Sequence, residues 1–284
     1  MLLFKGPRDQ LLSPLQSVCG IVEKRHTLPI LSNVLMEKDG EKLTLLATDI
    51  EIQITTKTAT VGADKAGITV GARKLQDILR SLPETAEVSL ALDEKRLQLK
   101  AGKSRFNLQT LPAEDFPRMT TTEGQATRLL ITQKQMKRLL ALVQYAMAQQ
   151  DIRYYLNGLL LVAKGNELRM VATDGHRLAY AAETLAETPA PIEVILPRKT
   201  ILELSRQLAD NDDPLEIALT STQARFSFGN IELVSKLIDG KFPDYERVIP
   251  QHHSKLIKLS RDALLHSLLR AAILTNEKFR GVRL

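Results

Sequence analysis

The sequence predicts an α+β protein made of repeated units, and three observations carry that prediction. First, the run from Leu31 to Asp49 aligns without a gap on the run from Leu156 to Asp174, at an offset of 125. Seven of 19 positions are identical, including Gly40/Gly165, Leu43/Leu168 and the whole Ala-Thr-Asp triplet that ends each run. A fixed period of this kind is the signature of duplication. Second, the register continues downstream. Arg73-Lys74 falls on Arg198-Lys199 at the same offset, and Phe116-Pro117 falls on Phe242-Pro243 at 126. Third, each unit pairs several alternating strand patterns with two short amphipathic helices, which excludes a doubly wound parallel sheet.

In the first unit, Leu15, Val18 and Ile21 place Cys19 in an apolar helix. Leu43-Thr-Leu-Leu and Glu51-Ile-Gln-Ile-Thr read as strands, with Gly40 marking the turn before the first of them. A helix follows from Arg73 to about Leu82, with Leu75, Ile78, Leu79 and Leu82 inward, and Pro83 ends it. Val88-Ser-Leu-Ala-Leu, Arg96-Leu-Gln-Leu-Lys and Arg105-Phe-Asn-Leu-Gln then alternate as half-buried strands. The polar run Thr120-Thr-Thr-Glu-Gly-Gln has neither periodicity and reads as a linker.

The second unit opens on a helix capped by Thr132, with Met136, Leu139, Leu140, Val143 and Met147 on one face. Lys134, Lys137 and Arg138 fall on its solvent side. Glu167-Leu-Arg-Met-Val is its strand after the Gly165 turn, and Arg198 to Leu208 is the counterpart of the short helix. A third unit begins at Leu259-Ser-Arg-Asp-Ala-Leu-Leu, which resembles the helix start at Ile131. Phe279-Arg-Gly-Val-Arg-Leu284 then stands where Arg153-Tyr-Tyr-Leu-Asn-Gly stands in the second unit. The expected domains are 1–125, 126–252 and an incomplete 253–284, with a further carboxy-terminal portion expected beyond the sequence given.

Composition narrows the function classes. An apolar fraction of 44% and a charged fraction of 25% are those of an ordinary globular protein. No apolar run reaches membrane-spanning length, and the start lacks a secretory apolar core, so a cytoplasmic protein without membrane contact is expected. The one cysteine excludes an internal disulfide framework and a cysteine metal cluster. The net charge of +6 is uneven. Residues 1–125 hold 17 basic against 16 acidic residues, 126–252 hold 15 against 15, and 253–284 hold 7 against 2.

Asp174-Gly175-His176-Arg177 is the most chemically loaded run. Read as chemistry, Asp174 and His176 would serve a His/Asp hydrolase. No Gly-x-Ser-x-Gly accompanies them, and Cys19 reads as a buried, inert thiol. The five histidines, His26, His176, His252, His253 and His266, include no i,i+4 pair, so no metal or other cofactor is expected. Phosphate-cradling glycine motifs are absent. Basic residues at equivalent helix positions are more suggestive: Arg73, Lys74 and Arg80 mirror Arg198, Lys199 and Arg206, and Lys134, Lys137 and Arg138 line a third helix. Repeated in this way they form a periodic surface suited to a phosphate backbone.

The chain resembles the bacterial sliding clamp family, the beta subunit of the replicative DNA polymerase III. The matching runs are Thr27-Leu-Pro-Ile-Leu-Ser-Asn, Ala72-Arg-Lys, Ser104-Arg-Phe, Asp151-Ile-Arg-Tyr-Tyr-Leu-Asn-Gly, Val171-Ala-Thr-Asp-Gly-His-Arg-Leu-Ala, Phe242-Pro-Asp-Tyr and Asn276-Glu-Lys-Phe-Arg-Gly-Val-Arg-Leu. They span the sequence from end to end. The resemblance implies three similar clamp domains per subunit and a head-to-tail homodimeric ring, with sheets outside and short helices facing a central channel. Such a ring encircles double-stranded DNA without reading its sequence, tethers polymerase, clamp loader and repair proteins, and catalyses nothing.

By motif matching, the resemblance puts Arg73, Lys74, Lys134, Arg138, Arg198, Lys199 and Arg206 on the DNA-facing lining. It puts Arg25, Gln150, Tyr154 and Tyr155 on loops that touch DNA. A pocket for short apolar partner peptides would use Leu156, Thr173, Gly175, His176, Arg177, Leu178, Pro243, Arg247 and Val248, its remaining wall lying in the family's carboxy-terminal segment. Ile273 and Leu274 would meet a partner subunit's equivalents of Lys74, Ile78, Leu82, Arg96, Lys103, Arg105, Phe106 and Leu108. The family is usually acidic. Loss of an acidic third domain and a basic clamp both account for the charge seen here. Without a third domain the ring is not expected to close. A non-ring DNA-binding scaffold built from the same repeats is the alternative reading.

Overall fold

The computed structural model describes residues 1–23, 28–93, 96–120, 126–252, 254–275 and 281–282. Arg25, most of the 120–125 linker and the Phe279-Arg280 match lie outside the described residues. The chain divides into two compact units, Met1–Pro243 and Asp244–Leu284.

In the first unit the duplication is visible element by element. The first repeat runs β1 (Leu2–Pro7), α1 (Arg8–Cys19), β2 (Asn33–Asp39), β3 (Lys42–Thr48), β4 (Ile52–Ala59), β5 (Lys65–Gly71), α2 (Ala72–Ser81), β6 (Glu87–Asp93), β7 (Arg96–Ala101) and β8 (Ser104–Pro112). The second runs β9 (Thr127–Thr132), α3 (Gln133–Val143), β10 (Gly158–Lys164), β11 (Glu167–Thr173), β12 (Leu178–Thr184), β13 (Ile192–Pro197), α4 (Arg198–Gln207), β14 (Pro214–Leu219), β15 (Gln223–Phe228) and β16 (Ile231–Lys236). Both ends of β2 and β3 map onto β10 and β11 at 125 (33 to 158, 48 to 173). Gly40 and Gly165, with φ of 61° and 60°, turn the two equivalent hairpins.

Every strand pairing is antiparallel. Twelve strands form one sheet in the order β1-β6-β7-β8-β5-β2-β3-β4-β16-β15-β14-β9, and β12-β11-β10-β13 form a second. The join between repeats is the β4–β16 ladder, from Ile52 opposite Ser235 to Thr56 opposite Ile231. The sheet therefore crosses the repeat boundary without a gap. Burial follows the strand patterns. In β15 Ala224, Phe226 and Phe228 are buried in strict alternation, whereas β10 is buried from Gly158 to Ala163 because both of its faces are covered.

The helices pack on the sheets through their apolar stripes, and one apolar cluster runs through both repeats. In α1, Pro14 has no N–H to give the carbonyl of Gln10. The hydroxyl of Thr58 on β4 donates to that carbonyl instead, at 2.9 Å. In α3, Thr132 is the predicted N-cap: its hydroxyl accepts from the Gln135 N–H at 3.1 Å, and the Gln135 side chain accepts from the Thr132 N–H at 2.9 Å. Thr132→Ala removes the hydroxyl that accepts from the Gln135 N–H and is expected to lower unfolding stability by about 1 kcal/mol, read from a denaturant midpoint.

The second unit holds α5 (Arg261–Ala272), capped by Ser260, and a short turn at Tyr245–Arg247. None of the α5 residues is buried. Among the described residues no helix is long and apolar enough to cross a membrane.

Candidate functional site

The Ala-Thr-Asp frame builds the same turn twice. In the second repeat the Thr173 hydroxyl donates to the Arg177 carbonyl at 2.7 Å and accepts from the Gly175 N–H at 3.1 Å. One oxygen of Asp174 takes the N–H groups of His176 and Arg177, both at 3.0 Å, and the other takes the Arg177 Nε at 3.1 Å. In the first repeat Thr48 and Asp49 make the matching bonds, to the Ile52 carbonyl and to the N–H groups of Glu51 and Ile52. The turn demands a left-handed residue after the aspartate. Gly175 supplies it at φ 87°, whereas the first copy forces Ile50 to φ 79°, a strained conformation for a β-branched side chain.

The second copy is the decorated one. Gly175, His176 and Arg177 stand in solvent, and Leu178, at the start of β12, is half-buried. The Arg177 guanidinium lies over the Tyr145 ring, 5.6 Å from its centre. Burial alone would raise the Asp174 carboxyl, but the Arg177 and His176 N–H groups and the Arg177 guanidinium outweigh it and hold the group below the usual range. Among the described residues no hydrogen bond joins the Asp174 carboxylate to the His176 imidazole; its bonds go to the turn's own N–H groups and to Arg177.

The loop before β10 meets this turn. Arg153 grips Asp151 through Nε and Nη2, at 3.0 and 2.8 Å, and reaches the Asp174 carbonyl at 3.5 Å. That grip lowers the Asp151 carboxyl to about 2. Asn157 holds the same loop from behind, accepting from the Asp151 N–H and donating to its carbonyl, both at 2.9 Å. Gln150 enters the loop at φ 57°. The Tyr154 and Tyr155 rings meet edge to face at 5.8 Å, and Gly240 packs beside both. Leu156 is buried, its carbonyl bonded to the Ala148 N–H at 3.0 Å.

Thus Leu156, Thr173, Gly175, His176, Arg177 and Leu178 gather on two linked turns of the first unit, with Pro243 exposed at the end of the segment that carries Gly240. Arg247 and Val248 belong to the second unit, where Arg247 pairs with Asp244 at 2.7 Å and Val248 is exposed. Arg153, Asn157 and Tyr145 organise these turns. Arg153 and Asn157 lie in the run from Asp151 to Gly158 that carries the family resemblance, whereas Tyr145 has no local sequence signal that marks it.

The basic residues separate into two kinds. Lys74 and Lys134 are exposed, and among the described residues their side chains make no hydrogen bond or ion pair. The others are held within the unit. Arg73 donates to the Val22 carbonyl at 2.5 Å, Arg138 pairs with Glu183 at 3.3 Å, and Arg198 donates to the Met147 carbonyl at 3.3 Å. Lys199 binds Glu23 at 2.7 Å and also Asp49, while Arg206 pairs with Glu203 at 2.5 Å. Cys19 is buried near Arg73 and Arg206, and burial pushes its thiol up to about 12.

Of the residues expected at a subunit interface, Lys74, Arg96, Lys103 and Arg105 are exposed, and Ile78, Phe106 and Leu108 are half-buried against the core. Leu82 is a core residue, 9% exposed. In the second unit Ile273 and Leu274 are 77% and 93% exposed.

Duplicated α+β modules that share one sheet across their joint, with cation-bearing helices packed on it, define a repeat protein of the DNA-clamp class. The comparisons with known proteins agree and go further. Residues 2–120 match the DNA polymerase III beta subunit N-terminal domain, and residues 130–244 match its central domain. The Beta sliding clamp of Pseudomonas putida is 49% identical over 99% of this chain and 77% of its own length. That of Escherichia coli K12 is 45% identical over 99% of this chain and 77% of its own length. A crystal structure of a sliding clamp from Pseudomonas aeruginosa, bound to griselimycin, superposes with a TM-score of 0.93 at 47% identity, covering 98% of this chain and 76% of that one. The chain belongs to the beta sliding clamp family, the beta subunit of DNA polymerase III.

Proposed function

We infer that this chain is a processivity factor: a sliding clamp that encircles duplex DNA and tethers DNA polymerase, clamp loader and repair proteins, without catalysing a reaction. The observation that carries this reading is family-level similarity along 99% of the chain, joined to a duplicated module whose sheet runs unbroken across the repeat boundary. A heterologous, head-to-tail contact that closes on itself makes a ring, and a ring holds DNA by topology. Its cations can then bind phosphates weakly and still let the protein slide.

In this reading the domains are 1–125, 126–252 and the start of a third at 253, and the protein works in the cytoplasm as a homodimer. The linked turns of Leu156, Thr173, Gly175, His176, Arg177 and Leu178 receive a short apolar peptide from each partner, with Pro243, Arg247 and Val248 assigned to the same function. Gln150, Tyr154 and Tyr155 contact DNA from the neighbouring loop, together with Arg25. Lys74 and Lys134 supply uncommitted phosphate-facing charge. The interface falls to Lys74, Ile78, Arg96, Lys103, Arg105, Phe106 and Leu108 on one subunit and to Ile273 and Leu274 on the other.

Retention on circular DNA tests the core of this proposal. The full-length protein with its third domain, loaded onto a nicked plasmid by its own loader, is expected to remain bound through gel filtration and to be lost when the plasmid is cut. Equal loss from circle and line would sink the ring.

A further inference from the structure

We propose that α4 is a seam helix, that Lys199 is the latch holding the second repeat to the first, and that phosphate contact falls instead to unpaired cations such as Lys134. This deepens the DNA-binding reading and rests on it.

Lys199 stands at the N-terminus of α4, yet its partners are 150 and 176 residues back in the chain, on the other repeat. Its ammonium lies between Glu23 and Asp49, and the Asp49 side chain is only 9% exposed. Asp49 is itself pinned, since its other oxygen caps the Glu51 and Ile52 N–H groups. A cation placed between two carboxylates, one of them nearly buried, is already neutralised. Moving it to a phosphate would strand Asp49 without its counter-ion, and an unpaired charge in such a place is costly. Burial lowers the affinity of Lys199 for its proton, but the bonds to Asp49 and Glu23 more than restore it, so the ammonium stays charged.

The far end of α4 is also tied to the first repeat, but through the Ser17 carbonyl and not through carboxylates. Arg206 is paired with the buried Glu203, and both pack so closely on Gly20 that a side chain there would collide with them. Gln207 donates to the Ser17 carbonyl at 2.6 Å, again across the seam. Both ends of the helix are therefore fastened to the first repeat, beside the β4–β16 ladder. Since that ladder and this helix together fix the angle between repeats, the latch bears on how the repeats curve. Lys134, on α3, has no such partner among the described residues.

Salt dependence separates the two roles. The logarithm of the duplex-binding constant falls with the logarithm of salt concentration, by about 0.9 for each phosphate contact. For the full chain and a random-sequence duplex, Lys134→Ala is expected to lower that slope by about 0.9 and leave Tm unchanged. Lys199→Met is expected to leave the slope unchanged and to lower Tm by about 3–6 °C. The double variant Glu23→Gln with Asp49→Asn keeps Lys199 but removes its carboxylates, and should lower Tm by a similar amount. A slope reduced by Lys199→Met, or a Tm unmoved in both seam variants, overturns the latch. If the unaltered chain binds the duplex with no salt dependence at all, the DNA reading falls and the division of roles falls with it.

Discussion

Gly158→Ala is expected to be the most damaging single-methyl change in the second repeat, lowering unfolding stability by about 3 kcal/mol and Tm by roughly 6–12 °C. Gly158 opens β10 opposite Pro197 on β13. A Cβ on it would stand 2.5 Å from the Leu196 carbonyl oxygen and 2.9 Å from both Ile195 Cγ2 and Ile238 Cδ1. The first of these is backbone within a paired strand and cannot rotate away. The other two belong to the bridge that ties Ile195 to Ile238. Relief therefore means prising β10 from β13, which breaks ladder hydrogen bonds in a fully buried strand. The shift would also reach Asn157 and Leu156, which hold the 150–157 loop.

Gly165→Ala is the control. It needs a left-handed residue at φ 60° but has open space around its Cα. Its cost is backbone strain alone, about 1 kcal/mol. Comparable costs for the two variants in parallel denaturant melts would refute the steric account of Gly158.

Elements are coded by local periodicity, so the 125-residue offset carries β2 and β3 onto β10 and β11 without error. It still holds in α2 and α4, where Arg73 and Arg198 donate to the Val22 and Met147 carbonyls, and it reaches 127 at β6 and β14 (87 to 214), after loops of different length. Thr132 announces its helix because a cap is chemistry between residues three apart. The seam has no such code. That Lys199 meets Asp49 follows from β4 lying beside β16, and topology of that range is not written in any short window. For the same reason helix-face charge picks out nine cations without telling which are held internally: of the seven that the family resemblance puts on the lining, Arg73, Arg138, Arg198, Lys199 and Arg206 have partners within the fold. The Asp174 turn is intermediate. Its copy at Asp49 identifies the frame as architecture, but only the structure reveals that Ile50 bears in strain what Gly175 provides freely.

That last contrast bears on the second large effect. Arg177→Ala is expected to weaken binding of a short Leu- and Phe-bearing peptide about tenfold, or ~1.4 kcal/mol, with little change in Tm. The Arg177 side chain is 58% exposed, so few core contacts depend on it. What it does is local: it lies against the Tyr145 ring and closes the Asp174 turn through Nε, which orients the exposed Gly175-His176 segment. His176→Ala, which removes an exposed imidazole and leaves the turn bonded, should cost less than Arg177→Ala. Tyr145→Leu should fall between the unaltered protein and Arg177→Ala, because the guanidinium loses its ring but keeps Asp174. Titration of a labelled peptide into each variant gives the order. Unchanged affinity in Arg177→Ala would remove the turn from the pocket. An equal loss in all three would mean that the peptide reads general exposure of this surface and not the geometry of the turn. The ranking matters more than any single value, since it separates a residue that touches the ligand from one that shapes the turn beneath it.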